Sequence, residues 1–216
     1  MSFSPPANPG VTGFVLAGGR SSRMGSDKAL AVVDGRTLAA GAVELLRRVG
    51  LATYIAGARS ELADLAPIIF DETHDLGPLS GICSALASIK TEFGIFIPVD
   101  MPFLPTSLLE YLWWCARITG NAATLVSVNG FTQTFPVVLR RETLPTLHSE
   151  LVAGRRGCLS AFQAASNALG DPVHAVAVEL LVQAGHATHP RGLAPFQWFL
   201  NVNTPTELER ARSSIA

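Results

Sequence analysis

The chain has 216 residues, 48% of them hydrophobic, which is enough for one domain with a full core and excludes a disordered or collagen-like protein. Sixteen Lys+Arg against seventeen Asp+Glu leave a formal net charge of -1. Without a basic excess to neutralise a phosphate backbone, a nucleic-acid partner is excluded, and any anionic ligand must be held by a local site.

In chain order, residues 1–10 lack the basic and apolar parts of a signal peptide and read as a flexible lead-in to one domain, residues 11–216. Residues 11–17 form a short apolar run followed by glycines, which predicts a buried strand. Residues 37–49 carry Leu38, Ala42, Leu45, Leu46 and Val49 at helical spacing and stop at Gly50. Strands are expected at 52–56 and 67–70, the latter leading into Asp71 and Glu72, and a helix at 79–89. Residues 93–99 are the most apolar strand candidate and end at Asp100. A helix at 108–118 and a strand at 122–128 follow. Residues 131–140 would pair with that strand, with Pro136 tolerated at an edge or a bulge. Asp171-Pro172 looks like the start of a helix whose Val173, Val176, Ala177, Leu180, Leu181 and Ala184 share one face up to Gly185.

Strands alternating with helices imply βαβ units. Near-continuous apolar strands imply that helices cover both faces. The expected fold is therefore α/β: a single-domain, three-layer α/β/α sandwich around a Rossmann-like, mainly parallel sheet. Apolar runs are broken well before about 18 residues, so no membrane helix and no membrane partner are expected. Cys83, Cys115 and Cys158 are widely spaced and offer no Cys-x-x-Cys pair, which suits reduced core thiols in a cytoplasmic protein.

In such sheets ligands lie outside the carboxyl ends of the strands, and three strand ends here carry glycines or acids: Gly18-Gly19, Asp71 and Asp100. The strongest signal is Leu16-Ala17-Gly18-Gly19-Arg20-Ser21-Ser22-Arg23-Met24-Gly25-Ser26-Asp27-Lys28. Glycines let backbone N–H groups approach a phosphate, while Arg23 and Lys28 add charge. The spacing is neither the Walker loop nor G-x-G-x-x-G, so a glycine turn with solvated basic residues stays open on the residues alone. Asp100 reads as a cation ligand or a turn cap, and Asp71 as a site acid or a solvated loop acid. Asn201 and Asn203 would share one side of a short strand, with Leu200 and Val202 on the other, as acceptor contacts or as pins of the turn before a helix capped by Thr204 and Glu207. Arg155-Arg156 suits an anionic acceptor or a solvated turn equally. His186 and His189 are too loosely spaced to argue for a metal, and Tyr111, Trp113 and Trp114 suit core or surface packing on their helix.

The residues from Leu16 to Lys28 resemble the opening signature of the molybdenum cofactor guanylyltransferases, Leu-Ala-Gly-Gly-x-Ser-x-Arg-Met-Gly-x-Asp-Lys, at every fixed position. In the same order come Asp71 after Ile69-Phe70, Gly77-Pro78-Leu79-Ser80-Gly81, Pro98-Val99-Asp100-Met101-Pro102, and Asn201-Val202-Asn203-Thr204-Pro205-Thr206-Glu207-Leu208. The chain departs from the pattern at Ala58, where an Asn usually precedes the Arg after the second strand. The stretch 161–185 is also longer than the pattern, which makes the helix expected there a peripheral insertion.

The resemblance implies the nucleotide-diphospho-sugar transferase type of fold and a Mg²⁺-dependent nucleotidyltransferase with GTP and molybdopterin as substrates. In that reading GMP passes to the terminal phosphate of molybdopterin, and pyrophosphate leaves. Arg23, Lys28 and Asp100 would be catalytic, with Asp100 holding the metal. Leu16, Ala17, Gly18, Gly19, Gly25, Asp71, Gly77, Pro78 and Leu79 would join them in binding the nucleotide, and Asn201 and Asn203 would meet the acceptor. Molybdoenzyme apoproteins and other cofactor-synthesis proteins are the partners implied. A cytidylyl- or sugar-nucleotidyltransferase of the same fold is the alternative enzyme, although Leu16-Ala17-Gly18-Gly19 favours GTP. A non-catalytic nucleotide-binding regulator is the other alternative.

Overall fold

The computed structural model of the protein describes residues 10–18, 27–71 and 76–213. After β1 (Val11–Leu16), a small hairpin of β2 (Val32–Val33) and β3 (Arg36–Thr37) leads into α1 (Leu38–Arg48). Then come β4 (Thr53–Ala56), β5 (Ile68–Ile69), α2 (Pro78–Ser88), β6 (Phe93–Pro98) and α3 (Thr106–Thr119). A second hairpin, β7 (Ala123–Val128) and β8 (Phe131–Arg140), is followed by α4 (Leu144–Val152) and α5 (Cys158–Ala168). The chain continues through β9 (His174–Ala177), α6 (Val178–Gln183) and α7 (Pro205–Ser213).

The main sheet runs β5-β4-β1-β6-β8-β7-β9. Its pairings are parallel except on the two sides of β8, which lies antiparallel between β6 and β7. The three-layer α/β/α expectation is met. Side chains of β1 show how the layers form: Val11 and Val15 join the apolar core containing Leu46 of α1, while Phe14 and Leu16 join the one containing Leu79 and Leu86 of α2. Gly13, on the α1 face, leaves room for Leu46; a Cβ there would lie 3.2 Å from its Cδ1. The alternation of a strand buried on both faces thus decides which helix each residue meets.

Local signals place the helix ends. Thr37 Oγ1 accepts from the Ala40 N–H at 3.2 Å and caps α1. Pro78 opens α2, and α3 stops at Gly120 in the left-handed region.

Two expectations need correction. Residues 174–177 are not the first turn of a helix but a strand, β9, paired in parallel with β7 from Thr124↔His174 to Ser127↔Ala177. Only 178–183 are helical. The stretch 161–185 is also not peripheral: Ala161, Phe162 and Ala165 of α5 are wholly buried, and so is Val178 of α6. Burial against the sheet outweighs the helical spacing of 173–184. For Pro136, the bulge is the correct choice. β8 is interior to the sheet, and its register with β7 shifts between Thr124 and Val126.

Candidate active site

A cleft of about 610 Å³ lies at the carboxyl ends of β1 and β6, lined by Leu16, Ala17, Gly18, Lys28, Pro98, Val99, Asp100 and Asn203 among others. The two strand ends are stitched together by Val99 N–H donating to Leu16 O at 3.3 Å, and Ala17 N–H donates to Ala56 O at 3.1 Å. Gly57, at φ +142, lets the chain after β4 press on this corner; a Cβ there would lie 3.1 Å from Gly18 N.

Lys28 begins a short 3₁₀ turn capped by Asp27, whose Oδ1 accepts from the Ala29 N–H at 3.0 Å. From there its ammonium reaches Asp100 Oδ2 at 2.5 Å and Asn203 Oδ1 at 2.5 Å. The C-terminal segment is docked at the same place, because Val202 N–H donates to Asp100 O at 2.9 Å. Two distant stretches, around Asp100 and around Asn203, therefore converge on one lysine. Behind it, Arg59 lines the cleft, pairs with Asp27 Oδ2, and donates from Nε to Glu61 at 2.6 Å.

The residues expected from the sequence divide as follows. Leu16, Ala17, Gly18, Lys28, Pro78, Asp100, Asn201 and Asn203 line the cleft. Gly19, Arg23 and Gly25, like Glu72, lie outside the described residues. Gly77, in the left-handed region, precedes α2, and Leu79 is fully buried. Asp71 follows β5 with its carboxylate against α2: a Cβ on Gly81 would lie 3.2 Å from Asp71 Oδ1. It is not among the described residues that line the cleft. Asn201 and Asn203 sit on an irregular segment instead of a strand, with Val202 buried and Leu200 and Asn201 exposed. The cap that follows holds: Thr204 Oγ1 accepts from Glu207 N–H at 3.2 Å, and Glu207 Oε2 accepts from Asn203 N–H at 2.8 Å. The Asn203 N–H is the main reason the Glu207 carboxyl lies below its usual range.

Other candidates fall away from the cleft. Arg155 forms a bidentate pair with Glu150 on α4. His186 stacks on Tyr111 at 5.1 Å, whereas His189 lies 6.3 Å from Trp198. Burial, with the Asp71 charge second, pushes the Cys83 thiol up to about 11, so it stays protonated and unreactive at neutral pH. Residues missed by the sequence reading are Gln133, Thr134 and Phe135 of β8, which also line the cleft.

A divalent cation can be tested against this geometry. Asp100 Oδ1 is buried and has no hydrogen-bond partner among the described residues, while Oδ2 is taken by Lys28. Among the described residues no cluster of three or more His, Cys, Asp or Glu side chains could enclose a metal. A buried carboxylate oxygen without a partner among the described residues, at the edge of the cleft, fits the way Mg²⁺ is held, by one or two carboxylates plus substrate phosphates.

A cleft at the carboxyl ends of a mainly parallel sheet, with a lysine and an acid meeting beside the backbone of Gly18, is the layout of a nucleotidyltransferase. The sequence model of the MobA-like NTP transferase domain matches residues 13–172, and the chain belongs to that family. The molybdenum cofactor guanylyltransferase of Xanthomonas euvesicatoria is 46% identical over 103 residues, 47% of this chain and 52% of that protein. A probable molybdenum cofactor guanylyltransferase of Natronomonas pharaonis is 28% identical over 221 residues, covering 95% of this chain and 98% of its own. The match thus spans about half the length of the first relative and nearly all of the second. The crystal structure of molybdopterin-guanine dinucleotide biosynthesis protein A from Archaeoglobus fulgidus shares the fold with a TM-score of 0.73 at 22% identity, over 94% of this chain and 98% of that one.

Proposed function

We propose that the protein transfers GMP from GTP to the terminal phosphate of molybdopterin, with Mg²⁺, releasing pyrophosphate. The observation that carries this reading is the convergence of Lys28, Asp100 and Asn203 in the cleft beside Leu16, Ala17 and Gly18. Membership of the MobA-like family and the names of the relatives support it.

The chemistry needs no general base, because the attacking phosphate oxygen is already anionic. That oxygen bonds to the α-phosphorus of GTP as the bond to the β-phosphate bridging oxygen breaks, and pyrophosphate carries the displaced electron pair away. What the protein must supply is charge neutralisation and alignment. The Leu16–Gly18 backbone would cradle the triphosphate with Gly19 and Gly25, and Lys28 would neutralise it together with Arg23. Asp100 would hold the cation through its buried Oδ1, and a bound Mg²⁺ would offset charge on the phosphate oxygens. Asp71, Gly77, Pro78 and Leu79 would shape the nucleoside end. Asn201, exposed at the rim, would face the acceptor, whereas Asn203 would act through Lys28. Buried, free cysteines suit a reducing cytoplasm, and no described helix is long and apolar enough to cross a membrane. Molybdoenzyme apoproteins or other cofactor-synthesis proteins would receive the product.

The test is pyrophosphate release with GTP, CTP and ATP, each with and without molybdopterin and Mg²⁺. Release with GTP that requires both additions is the expected result. A preference for CTP, or release indifferent to the acceptor, would overturn the reading.

A further inference from the structure

The β7–β8 hairpin reaches past the sheet it belongs to. β6 pairs with β8 only from Phe93↔Arg140 to Phe96↔Val137, so residues 131–136 lie beyond that ladder. There they pair with β7 alone, through Val126↔Gln133, Ser127↔Thr132 and Val128↔Phe131, past the register shift. The connection is the two-residue turn Asn129-Gly130, with φ of 51 and 78 at its two positions. Its tip is tied down, since Asn129 N–H donates to Glu179 Oε1 of α6 at 2.7 Å. A bulge re-aims side chains, and here Gln133, Thr134 and Phe135 line the cleft that also holds Lys28 and Asp100.

Sheet order assigns the two ends of that cleft. The strands across it run β4-β1-β6-β8, with Gly18 after β1 and Arg59 after β4 on one side and the hairpin arm on the other. Lys28 and Asp100 lie between. Phosphate-type features lie on the first side and at the centre: backbone at Gly18 and the charge of Arg59 on the one, the charge of Lys28 at the other. The hairpin side carries an amide, a hydroxyl and a ring. Gln133 Nε2 donates to Phe131 O at 3.1 Å, which fixes the amide plane. Its second N–H and its carbonyl oxygen have no partner among the described residues. Phe135 stands edge-on to Phe162, with ring centroids 6.4 Å apart at 79°, so its orientation is set from behind.

We propose that Gln133, Thr134 and Phe135 form the acceptor subsite and receive the flat end of the acceptor, a fused nitrogen heterocycle with amide and amino groups along its edge. Phe135 supplies an apolar aromatic contact. The Gln133 amide, able to donate and accept at once, reads the edge. This proposal rests on the guanylyl-transfer reading for the identity of the acceptor. It moves recognition of that acceptor from Asn203, whose oxygen is committed to Lys28, to the hairpin arm.

The experiment measures molybdopterin binding and GTP binding separately by titration, together with acceptor KM and kcat, for wild type, Gln133→Ala and Phe135→Leu. Phe135→Leu keeps an apolar side chain against Phe162, and thermal melting checks that each variant is folded. The expected result is about a tenfold rise in acceptor Kd and KM for each variant, with GTP affinity within twofold of wild type. Unchanged molybdopterin binding, or a loss of GTP affinity instead, would overturn the subsite. A wild type that binds molybdopterin but transfers nothing to it would sink the activity reading alone, and the binding comparison would still decide the subsite.

Discussion

Lys28 and Asn203 are 175 positions apart, yet the lysine ammonium donates to the asparagine oxygen at 2.5 Å. Together with Asp100, the amide fixes where the lysine ammonium sits. Replacing Asn203 with Ala removes one hydrogen bond to a charged group, worth about 1.5–3 kcal/mol. Guanylyl transfer by Asn203→Ala should fall roughly 10- to 100-fold in kcat/KM. Wild-type kinetics in this variant would mean that Asp100 alone positions the lysine.

For Lys28→Ala the loss should be one to two orders of magnitude in kcat/KM, by roughly the same contact energy. Lys28→Arg should not restore activity. Two acceptors at 2.5 Å grip a compact ammonium, and a planar guanidinium does not fit that grip. Full rescue by Arg would show that only the charge matters.

Asp100→Asn keeps the size of the side chain and removes the charge that a cation needs. Mg²⁺ titration of this variant should show activation shifted to much higher concentration, while its melting temperature stays close to wild type. An unaltered Mg²⁺ dependence would take Asp100 out of the metal site.

Gly57 is held at φ +142, and a Cβ there would meet Gly18 N at 3.1 Å. Gly57→Ala should therefore cost about 1–3 kcal/mol of stability, since the strained backbone and the close contact act together. Because the displaced partner is Gly18, GTP affinity should fall too. Denaturant unfolding and nucleotide titration measure the two effects separately.

Acid should loosen the C-terminal segment. The Glu207 carboxyl is held below 4.5, first by the Asn203 N–H, so the unfolded chain binds its proton more readily than the folded one. The stability this group contributes is complete above about pH 4.5 and is lost as pH falls through the lower, folded value. Glu207→Gln should flatten that part of the stability profile. Melting curves between pH 3 and 6 would reveal a retained slope if some other carboxylate were responsible.

Much of the fold was readable because local rules and tertiary packing agree. The helix at 37–49 shows its stripe, its Thr37 cap and its Gly50 stop, and β6 is apolar throughout and β1 nearly so, Thr12 excepted, because both faces are covered. The misreading at 173–184 arose where two periods compete. Val173, Val176, Ala177 and Leu180 fit a helix, but residues 174–177 satisfy the exposed side of β7, a partner about 50 positions away. In the site, glycines and charges announced Leu16 to Lys28 and Asp100. Gln133, Thr134 and Phe135 gave no such signal, since an uncharged strand acquires its role only when a register shift carries it over the cleft. The grip on Lys28 was equally invisible, because nothing local links Asn203 to it.

β5 and β9 close the sheet at its two sides, and they are two and four residues long. Unpaired N–H and C=O groups along an outer strand are a template on which another chain can add its own backbone, and a short row gives such an intruder little to hold. The apolar strands that make up the core, β1 and β6 among them, are each flanked by neighbours on both sides. Removing β9 would uncover β7, a six-residue strand with Ala123, Leu125 and Val126 wholly buried in the native sheet. The modest stretch after α5 thus covers the ladder edge of β7 and leaves a four-residue strand as the outer row, an arrangement independent of anything that happens in the cleft.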